Sequence, residues 1–301
     1  MKSFIIITIV AGLIVSTPVM AVTTSKTAAP PVTAKKVTTP VKKPAVKVVA
    51  KKVVKKVDPN TLVTYIKLQD GKMVSGYQAD KVLPPASMTK LMTALVILDQ
   101  NPDWAKKITI TKEYLDYPKI FVGNDATSEV NLKVGDTVSV YDLWVAMLVA
   151  SSNQSARALV DAVGVPYDTF LLKMNQKAKD LGLKKTIFKD VAGLSENTLT
   201  TAREMAVIAS TAFGQSAILR ASQVHNYTII ATTADGQWRS IAVTDRNYSL
   251  QTFAPDAAKV GFLVEAQRTV SLKKGNAIVV VMHAMSMAQR NSILQKLLVN
   301  I

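Results

Sequence analysis

Residues 84–92 read PPASMTKLM, and this stretch decides how the chain is understood. A Pro-Pro-Ala entry followed by the apolar run LMTALVILD has the form of a helix start, and the pattern predicts a helix over 87–98. Residues three apart share one face of a helix. Ser87 and Lys90 therefore face each other where an apolar element enters the core. A serine at a helix start is commonly no more than an N-cap. The lysine is harder to explain structurally, because burial lowers the pKa of an amine. A neutral amine beside a hydroxyl can take its proton, which is the nucleophile-and-base logic of acyl transfer.

Two more polar motifs interrupt apolar segments. Ser151-Ser-Asn153 directly follows VYDLWVAMLVA (140–150), which reads as a buried helix, and Lys259-Val-Gly261 lies inside the strand pattern AAKVGFLV (257–264). Taken singly, Ser-Ser-Asn is ordinary loop composition and a strand lysine commonly guards a sheet edge. Ahead of the first motif, LVTYIKL, the turn QDGK and MVSGYQ read as a hairpin. Helical patterns follow at SARALVDAV, YDTFLLKMNQKAKDLG and TAREMAVIASTAF. Strands then run through NYTIIATT, WRSIAVT, AAKVGFLV, TVSLKK and AIVVVMHAM, and an amphipathic helix, AQRNSILQKLLVN, closes the chain. This order predicts an α+β fold in which helices pack on one antiparallel sheet.

The N-terminus has a different character. Met-Lys, the apolar run FIIITIVAGLIV and the small-residue end STPVMA have the layout of a secretory signal over 1–21, cut after Ala21. The run is shorter than the roughly 20 residues of a spanning helix, although an uncleaved anchor using the whole stretch to Val22 is the other reading. Residues 22–57 collapse to Ala, Val, Thr, Pro and Lys, with ten lysines and no acid. Eleven of the 37 basic residues precede Asp58, the first acid, which leaves 26 basic against 21 acidic residues in 58–301. The basicity thus belongs to the tail, which proline and charge repulsion should keep extended. Such a tail can neutralise phosphates, but an export signal argues against nucleic acid. Two readings remain: a tether for the domain, or a polycation touching anionic envelope polymers or lipid heads. The absence of cysteine excludes disulfides and thiolate metal sites.

The order of the three motifs resembles the penicillin-binding serine D,D-peptidases, specifically the small D-alanyl-D-alanine carboxypeptidases, whose fold is that of the serine β-lactamases. That family carries S-x-x-K, S-x-N and K-T-G in this order. The resemblance covers nearly all of 58–301: PASMTKLMTALVILD, VYDLWVAMLVASSNQSARALVDAVG, MNQKAKDLGLKKTIFKDVAGLSENTLTTAREMAVIA and the turn DRNYSL before the third motif. It implies an antiparallel sheet packed against a mostly helical subdomain, with peptidoglycan stem peptides ending in D-Ala-D-Ala as substrate, β-lactams as inhibitors and no cofactor. Ser87 would be the nucleophile and Lys90 its base. Ser151 would relay protons to the leaving amine, and Asn153 would hold the substrate amide and steady Lys90. Lys259 would supply positive charge near Ser151 and the substrate carboxylate. The backbone N–H groups of Ser87 and Phe262 would form the oxyanion hole, and Arg246 and Gly261 would bind the substrate, Arg246 at its terminal carboxylate.

The third motif departs from the family pattern. It reads KVGFL, so the Val260 side chain cannot donate to a carboxylate and Leu263 removes a second hydroxyl. This leaves open a slow carboxypeptidase, an endopeptidase whose substrate lacks a free terminal carboxylate, or a homologue that binds peptidoglycan without cleaving it. A β-lactamase would need a water-activating glutamate in an E-x-x-L-N setting, and Glu196-Asn-Thr-Leu-Thr200 lacks the asparagine. His225 and His283 read as ordinary strand residues rather than zinc ligands. Trp104, Tyr114 and Tyr117 could line a peptide cleft or fill the core. The family often adds a small β-domain and an amphipathic anchor helix. About forty residues after the third motif hold neither, so attachment is expected from the N-terminal end.

Overall fold

The computed structural model describes residues 62–299. The expected signal over 1–21 and the expected basic linker over 22–57 lie outside the described residues. The predicted opening hairpin is present, with β1 (Thr64–Gln69) and β2 (Lys72–Tyr77) joined at Asp70-Gly71. Both turn residues have positive φ, +52° and +76°. Asp-Gly suits such a turn because its backbone twist matches that of the strands.

The chain returns to this hairpin only at its end. Strands β7 (Ala257–Leu263), β8 (Gln267–Lys274) and β9 (Ala277–Ala284) complete a five-stranded antiparallel sheet of order β2-β1-β9-β8-β7. Strand β9 is buried along its whole length, which explains its unbroken apolar reading. Successive side chains on a strand point to opposite faces. Ile278, Val280 and Met282 accordingly join the main core, which includes helix α7 (Ala202–Phe213). Val279 and Val281 join a second core with Leu294, Leu297 and Leu298 of α9 (Met287–Leu298).

On the α7 side lies the helical layer. Helix α1 (Lys90–Asp99) is buried from Lys90 through Ile97, so it has no solvent face. Around it stand α4 (Val140–Leu148), α5 (Asn153–Ala162) and α6 (Tyr167–Asp180). Short helices α2 (Lys112–Asp116), α3 (Lys119–Val122) and α8 (Ser216–Ser222) were not legible in the sequence pattern.

The expectation of one antiparallel sheet needs correction. Strands β5 (Asn226–Thr232) and β6 (Trp238–Thr244) do not join the large sheet. They form a second sheet with β3 (Lys107–Thr109) and β4 (Thr137–Ser139), in the order β3-β4-β5-β6. Three-residue strands show no usable alternation, so the sequence gives no sign of a partner for β5. The second sheet is tied to α4 through Asp142. Its carboxylate completes a capping box with Ser139 and also accepts from Tyr227 Oη at 2.8 Å.

Candidate active site

Ser87 sits in a 3-10 turn, Ala86–Thr89, that runs directly into α1. Its side chain caps nothing: no side-chain cap bond forms at either helix start, so the N-cap reading of the serine fails. The residue before it, Ala86, has φ +50°, a region that alanine rarely adopts and that marks stored strain. Lys90, the first residue of α1, is completely buried. Its Nζ donates to Ser87 Oγ at 2.9 Å, Asn153 Oδ1 at 2.7 Å and Ala192 O at 2.9 Å. Burial pulls this amine down to a pKa of about 8, against the opposing pull of Glu129 and Asp190.

These three partners define what happens when Lys90 loses a proton. A carbonyl oxygen and an amide Oδ1 can only accept. Two N–H groups must therefore stay on Asn153 and Ala192, and the vacated lone pair has one neighbour that can donate to it, the Ser87 hydroxyl.

Ser151 and Asn153 come from the corner between α4 and α5. The middle residue, Ser152, caps α5 by accepting from Ser155 N at 3.1 Å. Ser151 turns the corner with φ +62° and is buried. Asn153 is also buried, and its Nδ2 donates to Glu129 Oε1 at 2.8 Å.

Lys259 approaches from the far side of the cleft. Strand β7 is the edge of the large sheet, yet Lys259 is 1% exposed, so it does not guard that edge. Its Nζ donates to Ser151 Oγ at 2.8 Å and to its neighbour's carbonyl, Val260 O, at 3.0 Å. Burial and the nearby charge of Lys90 push this amine well below its usual range, with Asp245 opposing. Like-charge repulsion in a buried site disfavours two ammonium groups at once.

Strand geometry fixes where the N–H groups of β7 point. Val260 N–H points off the sheet to Asn247 Oδ1 at 3.0 Å. On an edge strand, N–H groups two residues apart point the same way, so that of Phe262 also faces off the edge. Strand β7 passes very near Ser87 here: a Cβ added to Gly261 would lie 2.8 Å from Ser87 N and 2.6 Å from Thr269 Oγ1. On the other flank, a Cβ on Gly193 would lie 1.9 Å from Ala86 O. Glycine is therefore required at both positions.

Ser87, Ser151, Asn153, Val260, Gly261 and Phe262 all line one cleft of about 1240 Å³. Arg246 is exposed along it, and its N–H donates to Val149 O at 3.1 Å. Leu263 and Glu196 also line it, with Glu196 exposed.

Several contributors escaped the sequence reading. Glu129 and the Ala192 carbonyl come from irregular loops, where no periodicity marks them. Asp190 builds the second loop, accepting from Ala192 N, Leu194 N and Thr198 Oγ1. Arg268 and Arg290 line the cleft as well. Arg290 is 4% exposed and donates to Ser249 Oγ and Asn291 Oδ1, and among the described residues no carboxylate pairs with it. Burial and Arg268 push its pKa down. A buried guanidinium without an acid was not recognisable in AQRNSI.

Two other expectations change. His225 is not an isolated strand residue: it precedes β5, and its Nδ1 lies 2.9 Å from Asp245 Oδ2. His283 does lie in β9, with φ +58°. Of the two roles open to the aromatic cluster, the core role is the one observed. Trp104 packs on Trp144 with ring centroids 5.1 Å apart. Tyr114 is buried and donates to Asp161, and buried Tyr117 pairs with Tyr167. The cleft is lined instead by Ile120, Phe121 and Val122 of α3.

The family model described as D-alanyl-D-alanine carboxypeptidase matches residues 49–286. The D-alanyl-D-alanine carboxypeptidase DacF of Bacillus subtilis is 30% identical over 240 residues, covering 77% of this chain and 59% of the relative. A D-alanyl-D-alanine endopeptidase of Haemophilus influenzae is 32% identical over 197 residues, covering 65% and 63%. The chain thus spans about three fifths of the length of these curated relatives. Among solved structures, the Streptomyces K15 DD-transpeptidase superposes with a TM-score of 0.70 at 29% identity, over 77% of this chain and 94% of that one. With a family model spanning most of its length and the motif residues gathered in one cleft, the chain belongs to the D-alanyl-D-alanine carboxypeptidase family, Peptidase_S11.

Proposed function

We propose that the protein is a serine D,D-peptidase that cleaves peptidoglycan stem peptides at D-Ala-D-Ala through an acyl-enzyme on Ser87. The observation that carries this reading is the environment of Lys90: a fully buried amine whose lone pair, once free, can turn only to the Ser87 hydroxyl. Ser87 Oγ attacks the carbonyl carbon while Lys90 Nζ takes its proton. The tetrahedral oxyanion is held by the N–H groups of Ser87 and Phe262, each such donor typically worth ~3 kcal/mol. The C–N bond then breaks, and the leaving amine receives a proton through Ser151, whose Oγ is held by Lys259. Water hydrolyses the ester, and Lys90 again handles the proton.

Substrate choice turns on the leaving group's carboxylate. Val260 offers that carboxylate no hydroxyl, while Arg246 and the buried Arg290, which no carboxylate pairs with among the described residues, supply positive charge in the same cleft. The relatives include both carboxypeptidases and endopeptidases by name, and the loss at Val260 tilts this chain toward substrates without a free terminal carboxylate. Catalysis takes place outside the cytoplasmic membrane after export through the 1–21 signal. The lysine-rich 22–57 segment tethers the domain and touches anionic envelope polymers or lipid heads.

The test is acylation of the full-length protein by a fluorescent penicillin, read by mass spectrometry, with Ser87→Ala as control. A stable adduct on Ser87 supports the reading. No adduct from folded protein would sink it and leave a peptidoglycan-binding homologue, whereas rapid turnover of the adduct would mean β-lactamase action.

A further inference from the structure

We propose that Glu129 is a positioning residue for acyl transfer: its carboxylate locks the Asn153 amide so that Oδ1 faces Lys90. The inference rests on the acyl-transfer reading of Ser87 and Lys90, and it concerns a residue outside all three motifs.

Glu129 lies in the irregular segment between α3 and β4, yet both its oxygens are engaged at the active-site corner. Oε1 accepts from Asn153 Nδ2 at 2.8 Å and Thr127 Oγ1 at 2.9 Å. Oε2 accepts from Ser152 Oγ at 2.9 Å and Gln154 N at 3.1 Å. One side chain therefore grips three consecutive residues, Ser152, Asn153 and Gln154, at the start of α5, where a negative charge is also favoured by the helix dipole.

The consequence for Asn153 follows from donor and acceptor chemistry. An amide can rotate to exchange its oxygen and nitrogen. A carboxylate can only accept, so it fixes Nδ2 on its own side and leaves Oδ1 for Lys90. Were the amide reversed, Nδ2 would oppose Lys90 Nζ, donor against donor. Among the described residues, the other acceptor of Nδ2 is Ser128 O, at 3.4 Å. Glu129 thereby governs which neighbour the Lys90 lone pair meets. Its charge acts on Lys90 as well. The charged groups bearing on that amine are Glu129 and Asp190, which favour its protonated form, and Lys259, which repels it.

Glu129→Gln separates this role from plain structural support. If the glutamine nitrogen takes the Oε1 place it faces Asn153 Nδ2, and if it takes the Oε2 place it faces Gln154 N–H. One donor–donor conflict results either way. In the full-length protein, Glu129→Gln is expected to lower the penicillin acylation rate at its alkaline plateau at least about tenfold, the effect of one lost charge-assisted bond. The titration of Lys90, followed by NMR of 13Cε-labelled lysine and assigned with Lys90→Met, should move to lower pH. Glu129→Asp keeps the charge at reduced reach, so the titration should stay and the plateau should fall several-fold. Unchanged rate and unchanged titration in folded Glu129→Gln would overturn the inference. Should that variant not fold, a wild-type plateau in Glu129→Asp would overturn it. If wild-type protein forms no adduct, the acyl-transfer reading fails, while the titration still decides whether Glu129 acts on Lys90.

Discussion

Val260→Thr adds a single hydroxyl to a site that otherwise retains its charged and nucleophilic groups. The two side chains are nearly isosteric, so the change leaves packing almost untouched. Val260 is partly buried, packs on the second core and also lines the cleft. Its N–H is already committed to Asn247 Oδ1, which holds the β7 backbone in place whatever the side chain. A hydrogen bond to a charged group contributes about 1.5–3 kcal/mol. If the threonine hydroxyl donates to a substrate carboxylate in the transition state, that corresponds to roughly a ten- to hundredfold gain in kcat/KM. The assay compares two peptides that differ only at the C-terminus, one ending in free D-Ala-D-Ala and the other in its C-terminal amide. Val260→Thr should raise the rate on the free acid by that factor and leave the amide within about twofold. An equal gain on both substrates would show that the hydroxyl acts on geometry rather than on the carboxylate. No gain on either would refute the reasoning that Val260 limits this site.

Other outcomes follow from the same geometry. Lys90 must be neutral to accept the Ser87 proton, and its pKa is about 8, so the acylation rate should rise with pH through that region, as stopped-flow measurement with a fluorescent penicillin would show. Gly193→Ala places a Cβ 1.9 Å from the Ala86 carbonyl at φ +78°, so acylation should fall at least tenfold with a lowered Tm. Arg290→Ala removes the buried cation of the cleft, and it should raise KM for the free-acid peptide more than for the amide.

What was legible in the sequence divides along physical lines. Ser87, Lys90, Ser151, Asn153 and Lys259 stood out because polar groups interrupt apolar runs; Lys90 bonds to Ser87 and Asn153, Lys259 bonds to Ser151, and the charge of Lys90 is felt at Lys259. The hairpin at Asp70-Gly71 and the run of β9 were likewise readable, one from turn chemistry and the other from composition. Glu129, Asp190 and Arg290 were not. Glu129 and Arg290 act across large sequence separations, such as the 24 positions between Glu129 and Asn153, while Asp190 builds its own loop, and a loop carboxylate looks the same whether it faces water or an amide. The second sheet was missed because β3 and β4 are too short to alternate. His225 gained its partner only when the β5–β6 hairpin folded Asp245 back beside it.

The buried amine proposed as the base for Ser87 should also weaken the fold, and the pH dependence gives the sign. In the unfolded chain Lys90 has a pKa near 10.5, and in the native site about 8. Between these values the unfolded state binds more protons, so native stability rises with pH across that window. Below pH 8 the penalty is fully present, and a shift of this size corresponds to about 3 kcal/mol. Lys90→Met removes the penalty at every pH, although it leaves Asn153 Oδ1 and Ala192 O without their donor, which costs about 1–3 kcal/mol for each buried group. That second cost does not change with pH, because neither group titrates. Lys259 acts in the same direction, since removing Lys90 also relieves the repulsion that lowers its pKa. Urea unfolding of wild type and Lys90→Met at pH 7 and pH 10 isolates the titrating part: wild type should gain on the variant by a few kcal/mol as pH rises. A difference that stays constant over this range would mean that Lys90 titrates in the fold as it does in water, and it could not then serve as the base for Ser87.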